Sequence, residues 1–452
     1  MRNLDFNLYL GSCHIVRKIV VMNPLPKTLE KKFVLPFVLV TSLFALWGFA
    51  NDITNPLVAA FKTLMEIPNS KAALVQFAFY GGYTCMALPA AMFIQKYSYK
   101  KGILLGLALY ATGAFMFYPA ARFEIFGLFL LSLYVLTFGL AFLETTANPY
   151  ILQMGDPRTA TRRLNLAQAF NPVGSLIGMT VAAQVILKKL QSDARNADGD
   201  LIYPTLGQVE KTVQKTADLI LIRDPYLVLG FVVLVMFVIV LLTKMPDGRD
   251  TSLRSDLKRS LKRLLGNRRY RAGVIAQAFY VGAQIMCWTF IIQYAEHLGM
   301  TKSEAQVYNI VAMSIFLASR FLTTWLMKFM DAKKLLLYFA LGGVLTMIGT
   351  IFIEGLLGLY CLVATSAFMS LMFPTNYGIA LEGLGNDSTY GSAGLVMAIV
   401  GGALMPPLQG AVIDLQSFGT MDAVRISFVI PLVSFMVIAV FGYLNVKGRL
   451  KA

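Results

Sequence analysis

Long apolar runs separated by short polar breaks occupy the chain from about residue 34 to about residue 446. Most are about 20 residues long, the length of helix that crosses a bilayer's hydrocarbon. They predict twelve helices, near 34–61, 71–95, 102–121, 125–151, 165–189, 225–245, 271–296, 303–329, 333–353, 356–381, 390–415 and 422–446. In lipid every backbone N–H and C=O has to find its partner internally, so such runs are read as α-helical spans. The fold class expected is all-α integral membrane.

Polar residues inside the runs carry the candidate chemistry. Glu144 sits deep in the fourth run, and the fifth opens with Asn165, Gln168 and Asn171 where a lipid-facing helix would carry leucine. On a continuous helix Gln168 and Asn171, three apart, share a face. A charged side chain at the centre of a span costs roughly 2.5–3.5 kcal/mol on insertion scales, so such groups face a cavity or a partner. The plainer reading of the amides is hydrogen bonding that holds helix to helix.

Composition agrees with the membrane reading. Of the 452 residues 57% are hydrophobic and 14% charged, against about 45–50% and about 25% in soluble domains. The net charge of +16 does not indicate nucleic acid, because the basic residues lie in short loops and so set topology. Lys96, Lys100 and Lys101, then Arg158, Arg162 and Arg163, then Lys328, Lys333 and Lys334 share one face if each run spans once. The basic linker 246–270, with Arg249, Arg254, Lys258, Arg259, Lys262, Arg263, Arg268 and Arg269, and both termini fall on the same face. The positive-inside rule makes it cytoplasmic, and the long 190–224 loop, with Lys211, Lys215 and Arg223, lies opposite.

The linker divides the chain into an N-terminal segment (1–33), a six-helix lobe (34–245), the linker (246–270), a second lobe (271–446) and a tail (447–452). Echoes at a nearly constant offset support duplicated halves: Lys96-Tyr97 with Lys328-Phe329, Pro149 with Pro374, Gly174 with Gly402. Arg17 and Lys18 precede an apolar run too short for a signal peptide, while Met22 opens a more natural start. Residues 1–21 are therefore expected to be a dispensable start-site artefact.

Several function classes drop out. Cys85, Cys287 and Cys361 lie in apolar runs as packing residues, and His14 and His297 are too separated for a metal cluster. There is no phosphate-binding loop for ATP, no nucleophile–base pair and no added signalling domain, so neither an enzyme nor a sensor is expected. No cofactor is expected. NADGD (196–200) lacks calcium-ligand spacing and is read as a turn.

Burial favours the neutral form of a carboxyl group. A protonated Glu144 lets two lobes rock across the apolar centre and a charged one hinders them, which would couple a proton to cargo. Amides and aromatic faces inside the runs make up the candidate binding set for a neutral cargo: Gln168, Asn171, Gln277, Gln284 and Trp288, with Tyr80 and Tyr83 as wall and Trp47 and Asn309 as weaker candidates. Gln277 and Gln284, seven apart, stack on one face of the seventh helix. The remaining charges have structural readings: Arg320 orients helix ends near Asp331, the Lys96 cluster belongs to a loop, and Glu296, Glu354, Glu382 and Asp414 lie at helix ends.

The stretches LETTANPY (143–150), RLNLAQAFN (163–171), AQAFYVGAQIMCW (276–288), SRFLTTWL (319–326), SAFMSLMFPT (366–375) and YGSAGLVMAIVGGALMPPLQG (390–410), with WGFAND (47–52) and FYGGY (79–83), are distinctive. They resemble the L-fucose:proton symporter family of the major facilitator superfamily, from about residue 34 to the end. The resemblance implies two pseudo-symmetric six-helix lobes around a cavity that imports L-fucose or a related hexose with a proton by alternating access. Position by position, Glu144 resembles the family's proton carrier, and Gln168 and Asn171 its sugar-contacting amides. It implies a multi-pass protein of the bacterial inner membrane; the partners expected are a sugar, a proton and membrane lipid, with no nucleic acid, and the chain is expected to be monomeric.

Two positions depart from the pattern. The family's acid in helix 1 aligns with Asn55, while this chain's acid, Asp52, lies three residues earlier, roughly 60° around and 4.5 Å along a helix. Phe373 stands before Pro374 where the family has tyrosine. Asp52 is thus a second proton-coupling candidate, Asn55 a substrate-facing one, and an uncoupled or sodium-coupled facilitator the alternative.

Overall fold

Among the described residues, twelve helical spans pack as two lobes with matching internal contacts. The computed structural model describes residues 29–54, 57–67, 74–194, 196, 202–246, 256–300, 302–413, 417–418 and 421–450. Residues 1–28, Asn55, Pro56, most of NADGD, Arg249, Arg254 and Asp414 lie outside the described residues. Spans 1 and 3 to 6 are Lys31–Thr54, Tyr99–Phe123, Phe126–Gln153, Pro157–Lys189 and Gln208–Leu242; spans 7 to 12 are Arg268–His297, Glu304–Leu326, Ala332–Phe352, Leu356–Ala380, Gly385–Ile413 and Ala423–Val446. Span 2 is Leu74–Lys96.

Short polar side chains start the helices at the basic face. Ser98, Asn267 and Asp331 accept from the backbone N–H groups of Lys101, Tyr270 and Lys333, at 3.1, 3.0 and 2.9 Å, and so cap spans 3, 7 and 9. Four packing pairs recur in both lobes: spans 1 and 5 match 7 and 11, 3 and 4 match 9 and 10, 3 and 6 match 9 and 12, and 2 and 4 match 8 and 10. Glycine permits the closest of these approaches. Gly174 of span 5 lies on the Ala45 backbone of span 1, and Gly401 of span 11 lies on the Ala278 carbonyl of span 7. The echo expected at Gly402 therefore falls on its neighbour.

Three predicted boundaries change. Span 5 is not continuous: helix Ala160–Gln168 ends, and helix Asn171–Val181 begins with Pro172 at its start, because proline has no N–H for the carbonyl four residues back. Span 6 begins at Gln208 rather than near 225. Its polar first half is helix beyond the apolar stretch, held by ion pairs from Lys211 to Glu66 (2.6 Å) and Lys215 to Glu124 (3.1 Å). Polarity had marked it as loop, although its residues are good helix formers. The linker contains a helix, Leu257–Gly266, docked on the second lobe: Arg263 Nε and Nη2 donate to Asp387 at 2.6 and 2.7 Å, and Ser260 Oγ at 2.7 Å.

Among the described residues, every hydrogen bond between the lobes lies in the half nearer the basic loops. Gln95 Nε2 donates to the Asn386 carbonyl (2.6 Å), and the Tyr99 and Thr389 hydroxyls pair at 3.2 Å. Asn165 Nδ2 donates to Thr375 Oγ1 (3.1 Å), Ser392 Oγ to the Thr145 carbonyl (3.0 Å) and Arg320 Nη1 to the Gln168 carbonyl (3.0 Å). Gly378 is packed directly on the Thr161 side chain across the same seam.

Candidate functional site

Glu144 lies nine residues from the end of span 4, about 13 Å from its basic-face terminus at 1.5 Å per residue. Its side chain is fully buried, and neither carboxylate oxygen has a hydrogen-bond partner among the described residues. The hydroxyl groups of Tyr83, from span 2, and Tyr377, from span 10, lie within electrostatic range. The carboxyl is thus enclosed between the lobes at the depth of the seam. A lone buried carboxyl with no counter-cation or donor is costly when charged and tolerable when protonated.

The two amides of span 5 are not equivalent. Gln168 is buried and its Nε2 donates to Asn148 Oδ1 at 2.8 Å, one turn along span 4 from Glu144. Asn171, beyond the break, is half-buried and its Nδ2 donates to the Phe44 carbonyl of span 1 at 3.2 Å. The expected shared face gives way to two directions, because the turn at Ala169 and Phe170 re-aims the helix.

Span 7 supplies the second lobe's share. Gln277 is nine residues from Arg268, the depth of Glu144; it is fully buried, with both amide atoms unpartnered among the described residues. Gly273 packs on Ala380, and Tyr280 meets Phe373 with ring centroids 6.1 Å apart. That antiparallel register sets Gln277 level with Asn376, whose amide is likewise buried and unpartnered among the described residues. Gln284 and Trp288 lie farther along the span and are half-buried. Trp288 Nε1 donates to Ser366 Oγ at 3.2 Å, and Asn309 Nδ2 donates to the Trp288 carbonyl at 3.3 Å.

Aromatics line the first lobe. Tyr83 stacks on Trp47 at 6.1 Å, Trp47 on Phe44 at 5.9 Å, and Tyr80 meets Phe79 edge-on at 5.6 Å. Asp52 is buried two residues from the end of its helix, within electrostatic range of Tyr80. Asp52 and Tyr80 form a group apart from Glu144, nearer the opposite face, and Asn55 lies outside the described residues.

Sequence reasoning missed Tyr377, within electrostatic range of Glu144, and Ser392, whose hydroxyl pairs with that of Tyr377. No pattern marks them, since their role arises only where spans 10 and 11 pair and span 11 meets span 4. Arg320 serves helix ends as expected, but at the seam rather than near Asp331: it is buried there, donating to the Gln168 and Ser370 carbonyls at two helix ends, with its guanidinium 4.7 Å from the Phe316 ring. Its signal was present, as an arginine inside an apolar run. The Lys100 ammonium binds the Leu241 and Thr243 carbonyls, both at 2.8 Å. Glu354 pairs with Arg425, and Glu382 with Arg269 and Lys333, as expected of helix ends.

The Major Facilitator Superfamily model matches residues 38–406. An L-fucose-proton symporter of Haemophilus influenzae is 64% identical over 418 residues, 92% of this chain and 98% of that one. An L-fucose-proton symporter of Escherichia coli is 35% identical, over 91% of this chain and 93% of that one. The crystal structure of the Major Facilitator Superfamily transporter FucP in the outward conformation superposes with a TM-score of 0.84 at 34% identity, covering 93% of this chain and 100% of that one. With two matching lobes, a seam closed at one face and a buried carboxyl within it, the chain belongs to the L-fucose:proton symporter family of the Major Facilitator Superfamily.

Proposed function

We propose that this protein is a secondary active transporter that brings L-fucose or a related hexose into the cell together with a proton. The observation that carries the reading is Glu144, fully buried at the lobe seam with neither oxygen partnered among the described residues. Glu144 is the proton carrier and Asp52 a second coupling acid. The sugar is held between the lobes by Gln168, Asn171, Asn55, Gln277 and Gln284, with Trp288, Tyr80 and Tyr83 as aromatic walls. Amides offer both donors and acceptors, which matches a neutral ligand rich in hydroxyls.

The basic face is cytoplasmic, and the protein resides as a monomer in a bacterial inner membrane, in contact with lipid and with both termini inside. The division into 1–33, 34–245, 246–270, 271–446 and 447–452 is part of the same reading. The closed basic face then makes this conformation outward-facing, ready to receive sugar.

Adding L-fucose to energy-starved cells in unbuffered medium is expected to raise the external pH as protons enter with sugar. Sugar entry without any pH change would favour the uncoupled or sodium-coupled alternative. For the site, Asn171→Ala is expected to weaken sugar binding by about 1–3 kcal/mol, the usual loss for a buried polar group left unpaired. Calorimetry giving the parental affinity would remove Asn171 from the site.

A further inference from the structure

We propose that Arg320 is a positioning residue of the transport cycle: it latches the basic face shut by capping, at once, two carbonyls vacated by prolines, one in each lobe. In an α-helix a carbonyl accepts from the N–H four residues on. Pro172 stands four residues after Gln168, and Pro374 four residues after Ser370, so neither carbonyl has its helical donor. Both helices break there, span 5 after Gln168 and span 10 after Met369. Arg320 Nη1 donates to the Gln168 carbonyl at 3.0 Å, and Nε donates to the Ser370 carbonyl at 2.6 Å.

Arg320 itself is 4% exposed, and it forms no ion pair among the described residues. Its charge is instead spread over backbone dipoles and the Phe316 ring, 4.7 Å away. A planar guanidinium presents several donors in a fixed fork, so it holds two acceptors in one set geometry. Span 4 repeats the device. Pro149 vacates the Thr145 carbonyl, which receives Ser392 Oγ from the other lobe at 3.0 Å. Two of the bonds across the seam thus land on carbonyls that proline has left open. Parting the lobes separates Arg320 from the Gln168 carbonyl while leaving it on the Ser370 carbonyl of its own lobe. The bond to span 5 is therefore made and broken once per cycle.

This inference rests on the alternating-access reading above, but its test needs neither sugar movement nor a proton gradient. Ser388 is buried at the seam's basic end and its hydroxyl has no partner among the described residues, so Ser388→Cys serves as a reporter of opening. The measurement is the maleimide labelling rate of purified protein in detergent, with the same chain lacking Ser388→Cys as background. Arg320→Gln is expected to speed labelling about tenfold, the population change that 1.4 kcal/mol gives, while calorimetry still detects L-fucose binding. Labelling at the parental rate with L-fucose binding retained would overturn the latch.

Should Arg320→Gln fail to fold, Pro172→Ala and Pro374→Ala decide. Each returns an N–H to a vacated carbonyl and competes with the guanidinium. Faster labelling in these variants supports the latch, and parental labelling in both overturns it. If L-fucose gave no pH change yet labelling accelerated, the latch would stand and proton coupling would fall.

Discussion

Glu144→Gln is expected to abolish uphill sugar accumulation while leaving sugar binding and sugar-for-sugar exchange in place. Glutamine has the size and hydrogen-bonding capacity of a protonated glutamate but no proton to release. Glu144 is enclosed between the lobes, with no donor or cation on its oxygens among the described residues. A neutral residue there leaves the lobes free to rock, so a permanently neutral carrier still exchanges sugar. What it loses is the link to the gradient. One charge crossing 100 mV is worth about 2.3 kcal/mol, which at 1.4 kcal/mol per tenfold sustains a sugar ratio of roughly fifty-fold. Vesicles with an imposed gradient should show that ratio in the parent and a ratio of about one in the variant, with counterflow retained. Full accumulation by Glu144→Gln would remove Glu144 from the proton path. Asp52→Asn in the same vesicles separates its two possible roles: loss of accumulation marks a second coupled proton, and persistence marks a structural acid.

The second large effect is on folding. Arg163 has the loop position of a topology-setting charge, but its side chain is fully buried. Its guanidinium donates to the Ile151 and Leu152 carbonyls at 3.2 and 2.8 Å, to the Asp156 carbonyl at 2.9 Å and to Thr159 Oγ1 at 2.6 Å. The first two are carbonyls in the last turn of span 4, where helical donors run out and positive charge is favoured, Ile151 keeping only the Met154 N–H at 3.2 Å. Arg163→Ala removes all four bonds and leaves the Leu152 carbonyl without a donor among the described residues, at about 1–3 kcal/mol, while the Ile151 and Asp156 carbonyls keep the Met154 and Thr159 N–H groups. The variant is therefore expected to unfold well below the parental temperature and to lose its monodisperse gel-filtration peak in detergent. An unchanged unfolding temperature would show that water takes over these acceptors without cost. Because Arg163 orders the turn between spans 4 and 5, its loss also disturbs the elements that carry Glu144 and Gln168.

Much of the architecture is readable without coordinates because the bilayer permits few solutions. A segment of about 20 apolar residues has to be helical and to span, and a polar group inside it stands out against that background. Glu144, Gln168 and Arg320 are each conspicuous for this reason, and the proline echo at Pro149 and Pro374 marks two of the vacated carbonyls later found at the seam. Polarity alone misleads where helix continues beyond the membrane, as in the first half of span 6, since loop and solvated helix share a composition.

Contacts between residues far apart in sequence have no such signature. That Ser392 reaches the Thr145 carbonyl and that Arg320 bridges two broken helices depend on how the two lobes meet. Each lobe's internal packing follows from local periodicity and small residues such as Gly174 and Gly401. The meeting of the lobes does not, because a transporter has to form those contacts in one state and give them up in another. Apolar pattern and charge bias thus suffice for spans, topology and candidate acid. The break in span 5, the burial of Arg163 and the pairing across the seam come only from packing, where hydrogen bonds left open by proline or at a helix end are completed by partners hundreds of residues or a single turn away.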